Sequence, residues 1–252
     1  MDEIMSNYNT SYHIVIIEKY LSNNRYTKDK NNNVLELVDP KGEDVILEIG
    51  CSSGGSTFLC ASAGSTVMGV DTDSEAIAVA EEYKPLVLKD TSQCRFATGR
   101  GEDFLEELPF NKVIMIDFVE HIDDNSFRDL IDNIFLGLPG AMIYIYTPNR
   151  LHVFEWLKAH NIILKEDLTH IGLRSTAEIK KVLEEAGAKI DRSYFRSSHI
   201  PLFSFFEGLF SKIPVAGELF RRRICIRARV PDQDIKVDNI PPTGETPLSY
   251  GR

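Results

Sequence analysis

The sequence predicts an α/β fold: a doubly wound, mostly parallel sheet of seven strands whose last strand runs antiparallel. Three observations predict it. Short apolar, β-branched runs alternate with helix-period segments from residue 45 to residue 230. The first run, Val45-Ile46-Leu47, passes through Gly50, Gly54 and Gly55 into a short helix of small residues, Ser56 to Ala63. The second run, Thr66 to Val70, ends on Asp71, about 20 residues beyond Gly50, and a βαβ unit closed by a carboxylate suits a nucleoside.

The elements follow in order. One helix is expected over Tyr8 to Leu21, and Asn23 to Asn33 is polar and asparagine-rich, hence a loop. This segment, 1–43, is read as a lid over a ligand mouth or as a solubilising cap on the sheet. After Asp71, Thr72-Asp73 caps a helix through Tyr83 with Ala76, Ile77, Ala80 and Tyr83 on its inner face. Cys94 to Thr98 is the third strand, followed by the loop Gly99 to Phe104, and Lys112 to Ile116 is the fourth. Asp124-Asn125 caps a helix whose Phe127, Leu130, Ile131, Ile134, Phe135 and Leu138 form one apolar stripe. Ala141 to Tyr146 is the fifth strand, and a helix follows at His152 to His160. Ser175-x-x-Glu178 is a capping box that opens a helix stopped by Gly187. The sixth strand lies near Lys189 to Phe195. The last, Arg223 to Val230, alternates Ile224, Ile226 and Ala228 with Cys225, Arg227 and Arg229, as a half-exposed antiparallel strand does. Residues 231–252 have few apolar side chains and read as a disordered tail.

At 252 residues the chain can bury one sizeable core. A net charge of -10 excludes broad electrostatic binding to nucleic acid, so no nucleic-acid partner is expected. Cys51, Cys60, Cys94 and Cys225 form no C-x-x-C pair, and the pattern of buried thiols implies a cytoplasmic chain. The opening MDEIMSNYNTSYH lacks a basic and then apolar leader, so no signal peptide is expected. No apolar run is long enough to span a bilayer.

The spacing Gly50-x-Ser52-x-Gly54 departs from the dinucleotide fingerprint, so NAD fits poorly. It resembles motif I of the class I S-adenosylmethionine-dependent methyltransferases, an acid-x-G-x-G-x-G pattern. Glu48, Gly50 and Gly54 match, Ser52 replaces the middle glycine, and Asp71 matches the acid that holds the ribose. Asp117-Phe118-Val119-Glu120-His121-Ile122 resembles the D-x-x-E-H ending of the fourth strand in small-molecule members. The resemblance covers about 44–230, with an acceptor-side insertion at about 150–222. It implies the Rossmann-like methyltransferase fold, S-adenosylmethionine as methyl donor, and cofactor contacts from Glu48, Gly50, Ser52, Gly54, Asp71, Thr72, Gly101, Glu102 and Asp117. In the adenine-side loop Arg100 stands where the family has an acid.

A hydroxyl acceptor benefits from a base, and imidazole titrates near neutrality. His121, His152, His170 and His199 are the candidates; His170, in the insertion, and His121, at the fourth strand's end, are preferred. Glu120, His121, Asp123 and Asp124 also suggest a divalent cation, but adjacent residues cannot all converge and capping accounts for Asp124, so no metal is expected. Phe203, Phe205, Phe206, Phe210 and Phe220 crowd a stretch ending in Arg221-Arg222-Arg223. It reads as a roof over the acceptor pocket or as a peripheral membrane contact through 200–223. The expected function is methyl transfer to a small or lipid-linked acceptor, most naturally at oxygen. N- or C-methylation, or cofactor binding without turnover, are the alternatives.

Overall fold

The computed structural model describes residues 9–22, 24–160, 169–197, 201–211, 213 and 216–232. Tyr8, Asn23, His199 and residues 233–252, each named above, lie outside the described residues. Seven strands, β1 (Val45–Ile49), β2 (Thr66–Asp71), β3 (Cys94–Thr98), β4 (Lys112–Ile116), β5 (Met142–Pro148), β6 (Lys189–Arg196) and β7 (Arg223–Arg229), form one sheet in the order β3-β2-β1-β4-β5-β7-β6. Only the pairings of β7 are antiparallel, and it lies between β5 and β6.

Both faces of the sheet are covered, which is why the strands read as near-continuous apolar runs. The side-chain period of two sends alternate residues to opposite cores. Leu47, Val113, Met115, Ile143 and Ile145 pack with α5 (Asp124–Gly137) and α7 (Thr176–Glu185). Ile46, Ile114, Ile116, Tyr144 and Tyr146 pack on the other face with α1 (Thr10–Leu21), α2 (Arg25–Val38), α3 (Gly55–Ser62) and α4 (Ser74–Val87). Two further helices, α6 (Val153–Ala159) and α8 (Pro201–Phe210), lie between β5 and β7 in the chain. All four cysteines are buried and free.

Three expectations are corrected. The asparagine-rich stretch expected as a loop is helical from Arg25 as α2. Asn24 Oδ1 accepts from Thr27 N (3.0 Å) as its cap, and Val34, Leu37 and Val38 are buried on the sheet. Tertiary burial there outweighs the weak helix propensity of Asn31-Asn32-Asn33. The last strand is not half-exposed: Cys225 is wholly buried under α2, and Arg227 donates to the Leu37 carbonyl (2.9 Å). Asp123, rather than Asp124, caps α5, its Oδ1 accepting from Asn125 N and Ser126 N. The Ser175–Glu178 capping box is present as read, with Ser175 N donating to Glu178 Oε2 at 2.8 Å.

Candidate active site

Ligands of open α/β sheets collect beyond the carboxyl ends of the strands, and a cavity of about 290 Å³ lies there, bounded by the ends of β1 and β2. Gly50 leaves β1 with φ +75°, and a Cβ on it would sit 2.1 Å from Phe118 Cδ2. Only glycine both takes that backbone and admits the phenylalanine. Asp71 ends β2 beside the same turn. Its Oδ2 accepts from Ser52 N (2.8 Å) and its Oδ1 from Asp73 N (3.0 Å), so the carboxylate is fixed by backbone donors before any ligand arrives. Arg100 and Glu102, both lining the cavity, pair with each other at 2.5 Å.

One cavity wall continues into a second group. Phe118 and Ile122 line the cavity, and the turn between them, Val119–His121, carries Glu120 and His121. The loop before α7 brings His170 to them: the His121 and His170 rings are 4.9 Å apart, edge to face. One ligating atom from each of Glu120, His121 and His170 lies within 4.8 Å of the others. Glu120 is 2% exposed and accepts from Thr147 Oγ1 at 2.8 Å. Burial, and then the charge of Asp117, push its carboxyl well above the usual range. His121 Nδ1 lies 3.2 Å from the Thr169 carbonyl, and Gly172 N donates to Glu120 O (2.9 Å), clamping the loop onto the turn. Arg174, 4% exposed, donates to the carbonyls of Val119 (2.6 Å), Gly172 (2.9 Å) and Ile122 (3.0 Å), and so holds both segments.

A sequence family described as a methyltransferase domain matches residues 20–193, well over half of the chain. The chain belongs to the methyltransferase domain family. A magnesium protoporphyrin IX methyltransferase from Synechocystis, solved with S-adenosylhomocysteine bound, has this fold, with a TM-score of 0.57 at 18% identity over 80% of this chain and 82% of that one. The chain is 30% identical over 122 residues to a ubiquinone biosynthesis O-methyltransferase of Pseudomonas fluorescens, an alignment covering 47% of this chain and 50% of that protein. It is 35% identical over 91 residues to the 18S rRNA (guanine-N(7))-methyltransferase bud23 of Schizosaccharomyces pombe, covering 35% and 34%. The chain thus spans half or less of the length of these relatives. A SAM-dependent methyltransferase from Archaeoglobus fulgidus shares the fold, with a TM-score of 0.61 at 19% identity over 86% of this chain and 99% of that one.

The cavity of this chain suits the methyl donor of the family. Val70, Ile122 and Leu130 give apolar walls, Asp71 a carboxylate, and Gly50 and Gly101 a floor without side chains. Of the residues expected to contact the cofactor, Gly50, Asp71, Thr72, Gly101 and Glu102 line the cavity. Glu48, Ser52, Gly54 and Asp117 do not. Glu48, on β1, is buried under α3 and accepts from Thr57 Oγ1. Ser52 acts through its backbone on Asp71, and Gly54 (φ +85°) packs against Phe96. Asp117 is engaged by Lys30 (2.7 Å) and Arg223 (2.5 Å). Burial alone would raise its pKa, but Arg223 and then Lys30 outweigh that and hold it below the usual range.

The cation cluster weighed from the sequence is not assembled as written: Asp123 caps α5 and Asp124 pairs with Arg174, while His170 takes their place beside Glu120 and His121. His152 is buried and lies 3.2 Å from Glu207, its Nδ1 accepting from Phe154 N, so it serves the packing of α8. Sequence reading missed Phe118, Ile122 and Arg174. The first two sit inside a motif already singled out, and nothing in the local sequence marks Arg174, whose partners are backbone carbonyls.

Proposed function

We propose that this protein transfers the methyl group of S-adenosylmethionine to a hydroxyl of a small or lipid-linked acceptor. The observation that carries the reading is the continuity of the cofactor cavity with the Glu120–His121–His170 cluster through the turn 118–122. Asp71 would hold the ribose hydroxyls, with Thr72, Gly101 and Glu102 around the rest of the nucleoside. When bound, the donor supplies a methyl on a sulfonium, whose carbon–sulfur electron pair stays on sulfur as the carbon–oxygen bond forms. The chain's own task is positioning, exclusion of water and removal of one proton. The acceptor's proton leaves at the cluster, where His170 and His121 stand at the end of β4.

The likeness to the ubiquinone relative supports oxygen as the acceptor atom. The net charge of -10 disfavours an RNA acceptor like that of the rRNA relative. An exposed aromatic face on α8 supports a lipid-linked acceptor and a peripheral membrane contact, on the cytoplasmic side. His13 of α1 lies 3.0 Å from Asp73, next to the ribose acid, which supports a lid role for the N-terminal helices.

The test is product analysis with a methyl-labelled donor and a prenylated catechol as acceptor. NMR is expected to place the label on oxygen, and His170→Ala to lower kcat by about 10²–10⁴-fold with S-adenosylhomocysteine affinity unchanged. A label on carbon overturns the acceptor assignment. Cofactor binding without turnover of any hydroxyl acceptor favours a binding protein.

A further inference from the structure

We propose that Glu120, His121 and His170 form a binding site for one divalent transition-metal ion of the zinc class. The inference rests on the reading above, that the acceptor hydroxyl meets this cluster, and names what activates it there.

Two imidazoles and one carboxylate are the donor set of catalytic zinc sites, which keep a further position open for a bound oxygen. The set favours a borderline ion over magnesium or calcium, which take oxygen donors. The geometry is close to closure. Donor atoms at about 2.0–2.2 Å from an ion stand roughly 3–3.5 Å from one another, and here they already lie within 4.8 Å. Side-chain rotations of about an ångström would close the site.

An independent observation is the outer ring of bonds. Metal-bound histidines almost always engage their second nitrogen with a carbonyl or carboxylate, which fixes the tautomer. His121 does this through Nδ1 and the Thr169 carbonyl (3.2 Å), which makes Nε2 its ligating atom. Glu120 is oriented the same way, by the Thr147 hydroxyl at 2.8 Å. Arg174 and the Gly172–Glu120 bond tie the His170 loop to the turn, so the three donors come from two segments held as one body. An ion at this point would hold the acceptor oxygen beside the cofactor cavity and favour its ionised form, the imidazoles then serving as ligands and the proton passing to water rather than to His170.

The experiment needs no acceptor. The full chain, freed of metal with a chelator, is titrated with Zn²⁺ by calorimetry and with Co²⁺ by visible absorption, in parallel with S-adenosylhomocysteine binding. One equivalent of each ion is expected, with Co²⁺ bands typical of nitrogen and oxygen donors. Affinity should fall at least a hundredfold in the His121→Ala/His170→Ala double variant and about 10–100-fold in Thr147→Val, which removes only the outer bond to Glu120. Retained S-adenosylhomocysteine affinity shows that each variant is folded. His170→Asn, changed in a loop alone, is a second check on folding. Absence of saturable binding of either ion at 100-fold molar excess, or undiminished binding in the double variant, overturns the site. Loss of the metal reading leaves cofactor binding and methyl transfer to be judged on their own assays.

Discussion

Asp71 shows how one carboxylate can be organised twice. Ser52 N and Asp73 N each donate to one of its oxygens, and each oxygen keeps a lone pair toward the cavity. Ser52 holds φ +48°, the left-handed region, at the position where the motif has glycine. A serine there carries strain of about 1 kcal/mol, and the hydrogen bond to Asp71 offsets it. Charge-assisted hydrogen bonds contribute about 1.5–3 kcal/mol each. Asp71→Ala should therefore weaken S-adenosylhomocysteine binding at least roughly tenfold by calorimetry. Because Asp71 also braces the turn, Asp71→Asn should lose less, retaining one acceptor for the backbone. Equal affinities in wild type and both variants would remove Asp71 from the cofactor site.

Among the elements, α8 departs most from the usual amphipathic rule. Its acid faces in, Glu207 being 3% exposed beside His152, while Phe205 (67%), Phe206 (43%) and Leu209 (55%) face out. The arginines after it do not make the cationic patch expected from the sequence. Arg223 belongs to β7 and pairs with Asp117, and Arg221 pairs with Glu218 and lies over Phe195. Phe210 is half-buried, packed on Phe206 and Phe220, so it is not part of the outward face. If α8 rests on a membrane, apolar area rather than charge drives it, each buried phenylalanine contributing up to ~2 kcal/mol. Flotation with liposomes should then show binding that persists at high salt. That binding should disappear when Phe205, Phe206 and Leu209 are all replaced by serine, with circular dichroism unchanged. Wild-type protein that stays wholly in the soluble fraction at every salt concentration defeats the interfacial reading. Among the described residues no helix is long and apolar enough to cross a membrane.

At the scale of the whole molecule, the sheet was legible because its signals are local. Each strand is a short apolar run, and the turn glycines and Asp71 sit at fixed offsets from strand ends. What the sequence hid is non-local. The helicity of α2 comes from Val34, Leu37 and Val38 meeting the sheet, and the convergence of His170 on Glu120 depends on a loop about 50 residues away, held by Arg174. Glu48 belongs to the same lesson, since its motif suggested a ligand contact and the fold buries it under α3. Burial pushes its carboxyl up to about 7, against bonds from Thr57 and Ser56 that favour ionisation. The folded chain therefore keeps a proton that the unfolded chain releases from about 4.5 upward. This contribution to stability is full below the unfolded pKa and is lost as pH rises through about 7. A shift of this size corresponds to a loss on the order of 3 kcal/mol between acid and alkaline conditions. Other buried acids also titrate, so the readout is the difference between wild type and Glu48→Gln, which keeps an acceptor for Thr57 but cannot ionise. Urea unfolding at pH 5 and at pH 8.5 should show the variant gaining on wild type by that order as pH rises. Parallel stability curves for the two proteins would mean that Glu48 is ionised in the fold and that its charge is solvated or paired.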